Sequence, residues 1–159
     1  MDLVSLKSFA KEARSALLKI IDFKIDYVLD DMSPTRRENP KAVKELENKL
    51  NNIGKEQVVE QVSYTWFNRF VALQYMDING FNPVMVIMNS EGKTRPEILS
   101  EAIGGEFNRS FISEKISSLV TAIIDGSSSS NDPEKEAYRL LLVAVCNSLH
   151  SKMPFLFEK

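Results

Sequence analysis

The sequence predicts an all-α protein: a single helical domain of about six helices around a central aromatic-rich helix at about residues 55–78. Three observations carry this. Apolar residues recur at helical spacing through most of the chain, and Pro, Gly, Ser, Thr and Asp stand where helices would start and stop. The one strand-like run, Val84 to Met88 in "FNPVMVIMNSEGK", cannot make a sheet alone. With 159 residues and 43% hydrophobic content, the chain is the usual size for one domain with its own core.

The elements follow in order. From Val4 to Leu29, Leu6, Phe9, Ala10, Ala13, Leu17, Ile20, Ile21, Lys24 and Tyr27 or Val28 mark one stripe of a long amphipathic helix. The segment "DDMSPTRRENP" breaks it, because Pro34, Pro40 and the polar residues around them favour turns. A second helix is expected from Lys41 to Asn52, with Val43, Leu46, Leu50 and Ile53 as a narrow stripe on a largely surface-lying element. After Gly54 comes the aromatic helix, from about Lys55 to Ile78, ended by Asn79-Gly80. Its second half is apolar around much of the cylinder, which predicts a helix contacted by neighbours on most sides. The stretch near 81–93 reads as irregular or briefly extended. In "TRPE", Thr94 with Glu97 has a capping-box pattern and predicts a helix from Arg95 to Ile103. Ser110 is placed to cap a helix through Ile124, and Gly126 to end it. "GSSSSND" reads as a flexible loop, after which Asp132-Pro133 starts a last helix running to about Ser151. The apolar ending "MPFLFEK" predicts that the chain is a piece of something longer, the alternative being a tail tucked into the helical core.

Composition excludes several classes. Twenty Lys and Arg face twenty-two Asp and Glu, and the balance holds locally, so no basic stripe marks a dominant nucleic-acid surface. A weak contact through Arg36, Arg37, Lys41 and Lys44 is the form DNA binding would take. A single cysteine excludes an intrachain disulfide. The amino terminus lacks a signal-peptide pattern, and no apolar run approaches a membrane span. A soluble, cytoplasmic protein without a membrane partner is expected.

Candidate chemistry is sparse. Cys146 and His150 stand four apart on the last helix, where they read as a buried thiol and a partly exposed imidazole rather than a dyad or half a metal site. Asp22, Asp26, Asp30 and Asp31 repeat like a solvated face. Asp77 is out of place, since a helix C-terminal turn disfavours negative charge; a partner arginine or backbone amides beyond the helix end should compensate it. Thr65, Asn68 and Arg69 are the other polar positions on the aromatic helix that a core alone does not require. Gly104-Gly105 has no nucleotide-binding context. The Asn-Pro pairs at 39 and 82 lack the second proline and aromatic of the Asn-Pro-Pro-Tyr loop that holds a flipped adenine. No catalytic, cofactor-binding or metal-binding residue is assigned, and the chain alone is not expected to be an enzyme.

Four stretches carry a resemblance: "FAKEARSALL", "GKEQVVEQVSYTWFNRFVALQYMDINGF", "RPEILSEA" and "CNSLHSKMPFLFEK". Together they resemble the amino-terminal region of the PglX family, adenine-specific DNA methyltransferases of type 1 BREX phage-defence systems. Tyr64 to Phe81 is the most specific part. The resemblance implies a much larger protein that uses S-adenosylmethionine to methylate the exocyclic amine of adenine, with its catalytic motifs beyond Lys159. It implies a scaffold or docking role for this region. The partners would be the remainder of the methyltransferase chain and other BREX proteins, with DNA reached through the full-length protein. A stand-alone helical interaction module is the competing reading.

Overall fold

The computed structural model describes residues 3–157, and for Leu3 its backbone alone. Among the described residues there are seven helices and no strand: α1 Leu3–Leu29, α2 Pro34–Glu38, α3 Pro40–Ile53, α4 Lys55–Ile78, α5 Glu97–Ile103, α6 Glu114–Ile124 and α7 Pro133–His150. The all-α expectation holds, and the aromatic helix has the predicted limits. The seventh helix is α2, a short turn within the segment read as a break. Pro34 fits its first turn, where a missing N–H costs nothing.

The chain divides into two compact units, Met1–Asn68 and Arg69–Lys159, so that the division falls within α4. In the first unit, Ile25 of α1 and Val58 and Val59 of α4 form the buried centre. Leu18, Ile21 and Leu29 of α1, Leu46, Leu50 and Ile53 of α3, and Val62 of α4 pack around it. Full burial of a side chain such as Val58 is worth roughly 1.5–3 kcal/mol. Polar clamps rim this core. Lys55 Nζ reaches Asp22 at 2.8 Å and Asp26 at 2.6 Å, and Arg14 pairs with Glu60 at 3.1 Å. Arg36 donates to the Leu29 carbonyl at 2.9 Å and to Glu47 at 2.7 Å, tying the end of α1 to α3.

The predicted stripe of α1 coincides only in part with its buried face. Leu18, Ile21, Ile25 and Leu29 pack inward, while Leu6, Phe9, Ile20, Phe23 and Tyr27 are exposed. The helix is apolar on two opposite sides, so one averaged stripe could not say which side meets the core. The carboxylates read as a solvated face are exposed but engaged. Besides the Lys55 clamp, Asp30 accepts from the Met32 amide and Asp31 lies 3.7 Å from Arg36.

In the second unit α6 packs on α7, and α5 packs on both. Its core includes Leu73, Ile112, Val120, Leu141, Val145 and Phe157. Asp132 caps α7, accepting from the Lys135 amide at 3.2 Å. Two other expected caps move. Helix α5 begins at Glu97 without a side-chain cap, because Glu97 turns to the preceding loop, so Thr94 caps nothing. Helix α6 begins at Glu114, capped by Ser113 rather than Ser110. The amide of Ser110 is instead held by the Asn108 side chain.

Candidate functional site

Helix α4 ends in a left-handed glycine, Gly80 at φ 66°, with Phe81 N donating to the Met76 carbonyl and Gly80 N to the Asp77 carbonyl. This closure leaves the Asp77 side chain pointing toward the segment that follows, where it is 1% exposed. Its carboxylate collects Asn82 Nδ2 at 2.6 Å, Ile87 N at 2.7 Å, Met88 N at 3.1 Å and Val86 N at 3.0 Å to each oxygen. Three consecutive amides therefore converge on one buried charge, and the helix-end penalty is offset by full donor coordination.

The same contacts explain why Val84 to Met88 is not a strand. The amides of Val86, Ile87 and Met88 are spent on Asp77, while carbonyls of the segment go elsewhere. Met85 O accepts from Ile98 N, Met88 O from Glu97 N, and Val86 O from the Tyr138 hydroxyl at 3.0 Å. Burial pushes the Tyr138 phenol up to about 12, with the Asp77 charge and Cys146 adding to the shift. Glu97 completes the clasp, accepting from Ser90 Oγ at 2.8 Å and Met85 N at 3.4 Å. The Asn-Pro pair at 82 is thus structural: Asn82 holds Asp77. Asn39 of the other pair is the junction residue between α2 and α3.

The remaining candidate positions do not gather around Asp77 into one site. Thr65 turns its hydroxyl back to the Gln61 carbonyl at 2.9 Å, a local bond within α4. Asn68 and Arg69 are half-buried. The Arg69 charge acts on Cys146, drawing its thiol down, but burial is stronger and the net displacement is upward. Cys146 is buried and protonated at neutral pH, while the His150 ring binds the Phe157 carbonyl through Nδ1 at 2.9 Å. The His150 Nδ1 is thus engaged by the backbone rather than by Cys146. Phe157 itself is 1% exposed, so the tail tucks into the core as the alternative reading anticipated, whereas Phe155 is exposed.

The aromatic run divides between inside and outside. Leu73 is fully buried and Trp66, Phe67 and Phe70 are half-buried, but Tyr64, Val71, Tyr75, Ile78 and Phe81 are exposed. Helix α4 is therefore not enclosed on most sides, as its composition had suggested. Among the described residues no group of three or more His, Cys, Asp or Glu side chains could hold a metal ion. No helix among them is long and apolar enough to cross a membrane.

The Asp77 carboxylate is thus engaged by donors of its own chain, and sequence comparison adds what the chain is similar to. The chain is homologous to part of adenine-specific methyltransferases. It is 29% identical, over its whole length, to the adenine-specific methyltransferase PglX of Lacticaseibacillus casei (strain Zhang), of which it spans 16%. Over 66% of its length it is 34% identical to the adenine-specific methyltransferase BrxX of Escherichia coli O9:H4 (strain HS), of which the match spans 8%. No protein-family model matches the chain, and no solved structure matches it.

Proposed function

We propose that the chain is the helical amino-terminal region of an S-adenosylmethionine-dependent, adenine-specific DNA methyltransferase. It works in a cytoplasmic BREX-type phage-defence system as a scaffold or docking domain. The observation that carries this reading is the match along the entire chain to a sixth of a methyltransferase's length. The polar groups support a non-catalytic role for this region. Asp77 is spent on loop amides, Cys146 is buried and held protonated, and His150 is bound to the backbone. Methyl donor and adenine are then handled by the rest of the methyltransferase chain, which together with other BREX proteins is the region's partner. DNA is contacted through the full-length protein.

The test is to incubate the chain with S-adenosylmethionine and unmethylated DNA beside a full-length methyltransferase of this class and its partners. No methyl transfer is expected from the chain alone; transfer by the chain would overturn the reading. The exposed apolar residues of α1 and α4 favour one alternative, a stand-alone interaction module. Supplying the chain in trans to a methyltransferase lacking its amino-terminal region separates the two, because only a scaffold restores methylation.

A further inference from the structure

The exposed face of α1 has a feature that the methyltransferase reading does not use. Leu6, Phe9, Ala13, Ala16, Ile20, Phe23 and Tyr27 follow one another at spacings of three and four, the seam of a coiled coil. The buried residues Leu18, Ile21, Ile25 and Leu29 lie on the opposite side, so this seam is surplus to the core of the first unit. Phe9 is 56%, Ile20 61% and Phe23 72% exposed, a contiguous apolar strip of the kind that marks an interaction surface. The strip is also nearly symmetric about its midpoint. Read outward from between Ala13 and Ala16, both halves run small, large, large: Ala13, Phe9, Leu6 one way and Ala16, Ile20, Phe23 the other.

We propose that α1 pairs antiparallel with α1 of a second copy of this chain. A two-fold axis at the midpoint sets Ala13 against Ala16, Phe9 against Ile20 and Leu6 against Phe23, each layer occurring twice as an isologous interface requires. The alanines let the helices approach at the centre while the large side chains fill the space on either side. The flanking charges suit this register. Glu12 and Lys19 stand on the same edge of the strip, one in each half, so the axis brings each Glu12 to the Lys19 of the other copy. Sliding one helix by a heptad would set Lys19 against Lys19 and Glu12 against Asp26. Self-complementarity of both size and charge selects a second copy over an unrelated helix. The proposal stands independently of the methyltransferase reading.

Sedimentation of the chain over a wide concentration range tests it, with a mass rising from 18.0 kDa to twice that as the expected result. Ala16→Glu, an exposed position outside the core, should abolish dimer formation while leaving the helical circular dichroism unchanged. Glu12→Lys and Lys19→Glu should each weaken association several-fold, and the double variant E12K/K19E should regain it. A chain monomeric at every concentration would overturn the proposal. So would a dimer indifferent to Ala16→Glu, or charge variants whose combination does not recover association.

Discussion

Asp77 shows how one residue can shape a segment that has no regular structure of its own. Removing its carboxylate strands the amides of Val86, Ile87 and Met88 together with the Asn82 side chain, most of them away from water. Breaking a buried, charge-assisted network of this kind costs about 3–5 kcal/mol. Asp77→Ala should therefore lower the unfolding free energy by about that amount in urea denaturation. Asp77→Asn, which keeps one acceptor but turns an amino group toward the amides, should lose about 1–3 kcal/mol. An unchanged denaturation midpoint in both variants would mean that the loop does not depend on this contact. Tyr138 gives a second handle on the same cluster. Its phenol is raised from 10.0 to about 12, so the folded state holds its proton more tightly than the unfolded state does. The stability this represents is complete below about pH 10 and is lost as pH rises from there through 12. Ultraviolet titration should therefore resolve a late-ionising phenol. Tyr138→Phe should remove that late phase and, with the hydrogen bond to Val86, about 1 kcal/mol of stability.

At the scale of elements, what the sequence discloses depends on whether a signal is local. The limits of α4 could be read because Gly54 and Asn79-Gly80 act within a turn of the helix ends, and Asp132-Pro133 marked the start of α7 for the same reason. Thr94 failed for a non-local reason: Glu97, the residue that should have completed its capping box, is taken by Ser90 and Met85. These starts should separate experimentally. Asp132→Ala should cost about 1 kcal/mol, whereas Thr94→Ala should stay within about 0.5 kcal/mol, both read from urea midpoints of the whole chain. Equal losses would restore Thr94 as a cap. The candidate site was legible to the same extent. Asp77 stands out in the sequence because helix ends repel negative charge, but its partners are backbone amides of Val86, Ile87 and Met88, which leave no mark in the identity of those residues. On α1 the single stripe read from the sequence mixes exposed Leu6, Phe9, Ile20 and Tyr27 with inward-packed Ile21, since residue spacing marks a face without saying what covers it.

For the molecule as a whole, the two units are unequally provisioned. Among the described residues, the first has Ile25, Val43, Val58 and Val59 as its buried hydrophobic residues, whereas the second draws its core from Leu73 through Phe157, with α5, α6 and α7 all contributing. Free energies of local opening follow the amount of buried apolar contact. Amides of α1 and α3 should accordingly exchange with deuterated solvent well before those at the centre of α7, around Leu141 and Val145. The exposed clamps of the first unit alter this little, because ion pairs such as Arg14–Glu60 are open to water and worth at most about 1 kcal/mol each. Antiparallel pairing of α1 adds a dependence that local stability alone does not have. A helix whose second apolar face is covered by another copy opens only after the copies part, so protection of residues 6–27 should rise with protein concentration while α7 stays constant. The variant Ala16→Glu should hold α1 at its dilute-solution exchange rate throughout. Protection of α1 that equals α7 in dilute solution would contradict the unequal cores, and protection independent of concentration would contradict the pairing, so one exchange series tests the two claims separately.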